Sequence, residues 1–151
     1  MAASLVLVSS SGGVLLDLLA LEPWWSRFDA RWWAVAAPDT ADRLAGYDVR
    51  WLPEQRTDRP WTLLMATVSA ARELRRLGPE VVVSAGSGVA VPVFVAARIL
   101  RIPCLWVETF NVIGRPGLAA RWCGRLASAV VVQHPELLTR HRRSVYVGAL
   151  Y

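Results

Sequence analysis

The sequence lacks lysine, has only two cysteines and contains no apolar run long enough to span a membrane. All 17 basic residues are arginine and stand against 12 acidic residues, which gives a net charge of +5. A membrane-spanning helix needs about 20 apolar residues, whereas the longest apolar stretches, residues 63–71 and 86–97, stop at Arg72 and Arg98. The sequence therefore predicts no spanning helix, but it is compatible with a protein that lies on a membrane surface.

Metal and redox sites are disfavoured by the spacing of the cysteines and histidines. Cys104 and Cys123 lie far apart, whereas zinc sites and redox motifs use closely spaced cysteines. His134 and His141 have no companion at metal-ligand spacing either. We predict buried free thiols in a reducing compartment and no metal. The first residues, MAASLVLVSSSGG, lack a basic leader, so we expect a cytoplasmic protein.

The composition is that of a folded domain with an anionic partner. Hydrophobic residues make up 54% of the chain and charged residues 19%, which excludes disorder. A chain of 151 residues fits a single domain, residues 1–151, around one core. The arginines stand in short groups without interleaved aromatic residues, so nucleic acid is disfavoured, while phosphates and acidic lipids are favoured.

Apolar strand patterns alternate with helical patterns along the chain. Val81, Val82 and Val83 form a continuously apolar strand of the kind that parallel sheets bury on both faces. Alternation of this type predicts an α/β fold, a Rossmann-like open parallel sheet with helices on both faces. The predicted strands are residues 4–9, 31–36, 48–52, 80–84, 104–107, 129–132 and 145–147, and the predicted helices are residues 14–21, 60–77, 117–126 and a segment from the turn at 85–89 to about 101.

Three polar or glycine-rich segments follow predicted strands, at the edge where such sheets bind ligands. Two of these segments precede helices and expose backbone amides suited to a phosphate or diphosphate. The alternative is that their glycines serve only the geometry of a tight turn. The second also partly matches a dinucleotide-binding motif, although Val91 replaces its third glycine. The segments contain Ser11, Gly12 and Gly13; Gly86, Ser87 and Gly88; and Glu108.

Glu108 is the only carboxylate between Arg98 and Gln133, and it directly follows an apolar strand. A general base needs such a position, where partial burial raises the pKa of a carboxylate. A glutamate that caps a helix or pairs with Arg115 or Arg121 is the alternative. The sequence has no nucleophile-elbow motif, which disfavours a hydrolase.

The predicted helix over residues 60–77 carries an apolar stripe that ends in a basic cluster. This arrangement is typical of a helix that lies on anionic lipid, and ordinary core packing is the alternative. The tryptophan pairs at residues 24–25 and 32–33 are open to the same two interpretations. The membrane-surface set is Trp61, Leu64, Met65, Arg72, Arg75 and Arg76.

Several motifs in this order resemble one group of glycosyltransferase subunits. The motifs are SSSGG, SAGSGVAVP with AARILRIP, WVETF, and VVVQHPELL before VYVGAL. The group comprises bacterial exopolysaccharide subunits of the PssD type and the membrane-recruiting subunit of the eukaryotic dolichol-linked N-acetylglucosaminyltransferase. The resemblance covers nearly the whole chain.

The resemblance implies the N-terminal half of a GT-B glycosyltransferase, peripheral on the cytoplasmic side of the membrane. Such a half binds a polyprenyl-diphosphate-linked acceptor and docks a separate subunit that holds the UDP-sugar; it needs no tightly bound cofactor or metal. By the same resemblance, Gly12 and Gly13 contact the acceptor diphosphate or the reaction centre, Gly86, Ser87 and Gly88 line the cleft, and Glu108 is the acid/base or orienting carboxylate.

The chain departs from the pattern of the group at three positions. Val14 stands where histidine is usual, Val112 replaces an arginine, and His134 replaces a common tryptophan. These changes remove a proton acceptor and an anion-binding guanidinium from the expected centre. Arg115 and His134 are the residues we expect to compensate. A non-catalytic membrane scaffold that recruits the partner is the alternative function.

Overall fold

A single seven-stranded parallel sheet organises the chain. The computed structural model describes residues 2–55, 58–111 and 115–150. The sheet order is β3-β2-β1-β4-β5-β6-β7, and every neighbouring pair of strands is parallel. The predicted α/β Rossmann-like fold is thus confirmed. The strands are β1 Ser4–Ser9, β2 Asp29–Val35, β3 Val49–Leu52, β4 Val81–Ser84, β5 Cys104–Val107, β6 Ala129–Val132 and β7 Ser144–Tyr146.

Helices cover both faces of this sheet. The helices are α1 Gly13–Ala20, α2 Glu22–Trp25, α3 Pro38–Arg43, α4 Pro60–Leu77, α5 Ala90–Ile99 and α6 Leu118–Leu126, with a 3₁₀ helix over Pro135–Thr139. Core residues of α4, α5 and α6 pack in one apolar cluster, and those of α1 and α2 pack in the other. We call these the α4–α6 layer and the α1–α3 layer, because Leu44, which follows α3, belongs to the second cluster.

The central strand is buried on both faces, as its apolar sequence requires. Val6 and Val8 belong to the cluster of the α4–α6 layer, whereas Leu5 and Leu7 belong to the other cluster. Successive side chains of a strand point to opposite faces, so an uninterrupted apolar run has no polar side to offer to water. This is why residues 4–9 occupy the middle of the sheet.

Local residue chemistry sets the ends of several helices. Proline occupies the first turn of both α3 and α4, where its missing amide costs no hydrogen bond. Helix α4 ends at Gly78, which adopts a left-handed φ of 58°. Helix α3, Pro38–Arg43, lies between the second and third predicted strands and is not among the helices predicted from the sequence. Strand β2 begins two residues earlier than predicted, because its pairing with β1 starts at Asp29.

Candidate functional site

The two glycine-rich turns lie where the strand order reverses. One turn follows β1 and the other follows β4, and these strands are neighbours at the centre of the sheet. From β1 the chain adds β2 and β3 on one side of the sheet. It then returns to the centre at β4 and adds β5, β6 and β7 on the other side. Ligands of open α/β sheets bind in the crevice at this switch point, beyond the carboxyl ends of the strands.

The two glycine turns lie close to each other and to the segment after β5. A β-carbon added to Gly86 would lie 2.8 Å from Cγ2 of Val14 and 3.8 Å from Cγ2 of Thr109. One added to Gly13 would lie 3.8 Å from Nδ2 of Asn111. The predicted convergence of the three segments at one edge is therefore confirmed. Val14, which stands where the resembling group has histidine, fills the space between the two turns.

The first turn leaves the N-terminus of α1 open to solvent. Ser11, Gly12 and Gly13 are all exposed. Gly12 has a left-handed φ of 75° and precedes α1, and no side chain caps this helix. The first amides of a helix lack partners within it. Backbone N–H groups and the positive end of the helix dipole thus face the crevice.

The second turn is held by a buried serine. The Ser84 hydroxyl donates to the Val8 carbonyl at 2.8 Å and accepts from the Gly86 amide at 3.3 Å, which links the ends of β1 and β4. Ser87 has a φ of 80°, a left-handed conformation that is uncommon for a residue with a side chain. Like α1, helix α5 has no side-chain cap.

Glu108 is buried inside the protein and does not face the crevice. The residue is 2% exposed. Its Oε2 is 2.8 Å from Nε2 of His141 and accepts a 3.4 Å hydrogen bond from Nε1 of Trp106. Glu108 is more deeply buried than the partial burial predicted for a general base, because His141 and Trp106 contact its carboxylate, and its catalytic role stays a prediction. The proposed pairing with Arg115 or Arg121 is also wrong, since the partner is His141.

Gln133 ties the end of β5 to the end of the chain. Its side-chain amide donates to the Glu108 carbonyl at 3.0 Å, and its side-chain oxygen accepts from the amide of Leu150 at 3.1 Å. Gln133 and His141 are the residues of this network that the sequence did not assign to the site. A glutamine after an apolar strand was the available signal for the first, whereas His141 sits among arginines with no signal of burial.

His134 lies at the same edge, beside the segment after β5. Its Nε2 donates to the carbonyl of Phe110 at 2.7 Å, and the two rings are 4.8 Å apart. Arg115 is exposed, and no contact joins it to the turns within the described residues. Val112 lies outside the described residues. The predicted roles of Arg115 and His134 in anion binding stay predictions.

The stripe on α4 faces away from the core. Trp61 is 71% exposed, Met65 57% and Leu64 49%, while Ala70 and Leu74 form the buried face of the helix. Arg72, Arg75 and Arg76 are exposed as well. The core-packing interpretation of the stripe is wrong. It holds instead for Trp25, Trp32 and Trp33, which are buried, so these tryptophans do not belong to a membrane surface.

The described residues contain two free, buried cysteines, Cys104 and Cys123, as predicted. They contain no group of three or more histidine, cysteine or acidic side chains that could hold a metal ion. Within residues 2–55, 58–111 and 115–150, no helix has the length and apolar character needed to cross a membrane.

The fold and its switch-point crevice define the chain as the N-terminal half of a GT-B architecture. MurG from Acinetobacter baumannii superposes with a TM-score of 0.79 over 96% of this chain and 45% of that chain, at 22% identity. A UDP-N-acetylglucosamine 2-epimerase from Rickettsia bellii superposes with a TM-score of 0.76 over 99% of this chain and 46% of that chain, at 9% identity.

Residues 50–150 match the family described as "Oligosaccharide biosynthesis protein Alg14 like", and the chain belongs to this family. The predicted kinship with glycosyltransferase subunits is thereby confirmed, whereas the PssD-type specificity stays a prediction.

The chain is also similar to enzymes named UDP-N-acetylglucosamine–N-acetylmuramyl-(pentapeptide) pyrophosphoryl-undecaprenol N-acetylglucosamine transferase. The one from Methylococcus capsulatus is 31% identical over 113 residues, which is 69% of this chain and 31% of that enzyme. The one from Nitrosospira multiformis is 34% identical over 89 residues, 59% of this chain and 24% of that enzyme. The chain thus matches less than a third of the length of either relative.

Proposed function

We propose that this chain is the acceptor-binding subunit of a two-subunit glycosyltransferase. The reaction transfers a sugar from a UDP-sugar to a polyprenyl-diphosphate-linked saccharide at the cytoplasmic face of a membrane. The observation that carries the proposal is the exposed, uncapped N-terminus of α1, which lies beside the glycine turn before α5 at the switch point. The names of the relatives support it, since they specify a UDP-sugar donor and a pyrophosphoryl-undecaprenol acceptor.

The acceptor diphosphate is assigned to the two glycine turns. Amides of Ser11, Gly12 and Gly13 face it from the start of α1, and those of Ser87 and Gly88 face it from the turn before α5. Gly86 lines the cleft without offering its amide, which donates to Ser84. The absence of a side chain at Gly13 lets an anion approach the backbone of the first turn. Arg115 and His134 are assigned as the nearest side chains that can add charge or a hydrogen bond.

The donor is assigned to a separate subunit. The MurG structure is matched over only 45% of its length, so the second half of that architecture lies outside the similarity. In our proposal a donor-binding subunit supplies this second half, holds the UDP-sugar and docks across the switch-point crevice. No tightly bound cofactor or metal is required of this chain.

Glu108 is assigned an orienting role. A carboxylate that is 2% exposed and bonded to His141 holds the backbone that carries Thr109 and Asn111 beside the turns. The alternative function is a membrane scaffold that recruits a catalytic partner and contributes no chemistry. It is favoured by the same burial of Glu108 and by Val14, which offers no proton acceptor in the crevice.

Helix α4 is proposed to lie against the membrane. Its exposed apolar stripe precedes three exposed arginines, so apolar side chains can enter the interface while the cations meet acidic headgroups. The helix begins just beyond β3, at the edge of the sheet that carries the glycine turns. A lipid-linked acceptor held at the turns would therefore have its membrane anchor on the same side.

Binding of undecaprenyl diphosphate to the isolated chain in detergent micelles tests the acceptor site. Gly13→Asp places a carboxylate in the first turn, and the nearest atom to the new β-carbon, Nδ2 of Asn111, is 3.8 Å away, so the change fits. We expect binding to weaken at least tenfold by charge repulsion. Ala41→Asp, an exposed position on α3, is the matched control. Equal affinities of the two variants would refute the assignment of the diphosphate.

A further inference from the structure

A second cationic feature lies between α6 and the segment that leads into β7. A cavity of about 330 Å³ is lined by Arg121 and Arg125 from α6 and by Arg140 and Arg142 from the segment before β7. Gly124 and His141 complete the lining. None of the glycine-turn residues lines this cavity, so it is separate from the switch-point crevice.

Among the described residues, no salt bridge joins any of these four arginines to a carboxylate. All four arginines are exposed, and no acidic residue lines the cavity. The cavity therefore presents four guanidinium groups to solvent, and a bound anion would offset their mutual repulsion.

The inner wall of the cavity is formed by a buried side chain that is held in place by its neighbours. The side chain of His141 is 4% exposed and fixed by its 2.8 Å contact with Glu108. Its Nδ1 lies so close to α6 that a β-carbon on Gly124 would come within 2.6 Å of it. The absence of a side chain at Gly124 thus lets the histidine pack against the helix, and this packing holds the Arg140–Arg142 segment opposite Arg121 and Arg125.

Apolar side chains stand next to these cations on α6. Leu118 is 72% exposed and Trp122 56% exposed, and they share the outward face of the helix with Arg121 and Arg125, three or four residues apart. Helix α5 packs against both α4 and α6, so α6 belongs to the same layer as the α4 stripe. Tryptophan and arginine side by side suit the headgroup region of a bilayer.

We propose that the cavity between α6 and β7 binds a phosphate group, with the phosphate of an acidic lipid headgroup or a soluble phosphate as its source. Arginine is suited to this ligand because its planar guanidinium donates two parallel hydrogen bonds to phosphate oxygens. The site would add a discrete headgroup contact to the proposed surface of α4. It does not depend on sugar transfer by this chain.

The test compares two double variants of the full chain. Arg121→Gln/Arg140→Gln removes one cation from each wall of the cavity, and Arg27→Gln/Arg43→Gln removes two exposed arginines beside α2 and on α3, outside the α4–α6 layer. All four positions are exposed, so both variants should fold, which circular dichroism checks. Co-sedimentation with phosphatidylglycerol vesicles tests the lipid source. Thermal unfolding in phosphate against chloride at equal ionic strength tests the soluble source.

We expect the cavity variant to bind the vesicles roughly 30-fold more weakly than the control variant, since each of the two removed arginines contributes roughly fivefold near an acidic surface. Loss of vesicle binding alone assigns the site to a lipid headgroup. Loss of both vesicle binding and the phosphate-induced rise in Tm assigns it to phosphate from either source, and loss of the rise in Tm alone assigns it to a soluble phosphate. Equal behaviour of the cavity and control variants in both assays would overturn the proposal.

Discussion

At the scale of single residues, Gly86 is the position where the site tolerates least change. A β-carbon there would lie 2.8 Å from the stiff, β-branched side chain of Val14. We expect Gly86→Ala to lower the free energy of unfolding by about 1–3 kcal/mol through overpacking. Gly88→Ala is the control, because its β-carbon would meet no atom within 4 Å. Urea unfolding that gives the two variants the same midpoint would show that the turns are not packed as described.

The two cysteines should resist alkylation in the native protein. Burial raises the pKa of the Cys104 thiol from 9.0 to about 12, and burial is also the main cause that raises the pKa of Cys123. At pH 8 a shift of this size lowers the thiolate fraction of Cys104 by about a thousandfold, and the thiolate is the reactive form. We expect iodoacetamide to label neither thiol until denaturant is added, as mass spectrometry can measure. Rapid native labelling would contradict the burial of β5 and α6.

The positions of the glycines that shape the turns through their backbone were predictable from the sequence. Glycines after apolar strands have few uses other than turns, so Gly12, Gly13, Gly86 and Gly88 were placed at the edge of the sheet correctly. Side-chain partners were not predictable. Glu108 and His141 are far apart in sequence, and their contact depends on how the segment before β7 folds back over α6.

At the scale of elements, the Glu108–His141 contact fastens the end of β5 to the segment before β7. Removing His141 leaves the buried carboxyl group of Glu108 without its closest hydrogen-bond partner, and this typically costs about 1–3 kcal/mol. We expect that loss of stability for His141→Ala, measured by urea unfolding.

His134→Ala is the matched control for this prediction. His134 is less buried and donates to a backbone carbonyl, so we expect its removal to cost about 1 kcal/mol. Equal losses for the two histidine variants would mean that His141 and Glu108 are not paired as described.

Element boundaries were predictable to within a few residues where local chemistry sets them. Proline at the start and glycine at the end gave α4 its limits, 60–77, from the sequence alone. The direction in which its apolar stripe faces was not predictable, because an amphipathic pattern does not say which side meets the core. The structure resolves this through Ala70 and Leu74, which are the buried residues of the helix.

At the scale of the whole molecule, the order of strands determines where chemistry can occur. Alternating strand and helix patterns predicted a parallel sheet, since right-handed crossovers leave few other arrangements. The reversal between β1 and β4 then brings the uncapped N-terminus of α1 beside the glycine turn that precedes α5. The sequence of this half did not predict the transferred sugar, because the proposed donor pocket belongs to another subunit.

The central claim is that this chain transfers sugar only together with a donor-binding subunit. The most direct measurement is transfer from radiolabelled UDP-sugars to membrane polyprenyl lipids by this chain, by a donor-binding GT-B subunit tested as its partner and by the co-purified pair. We predict product from the pair and none from either subunit alone. A stable pair that stays inactive with a broad panel of UDP-sugars, or a partner that is fully active alone, would contradict the account.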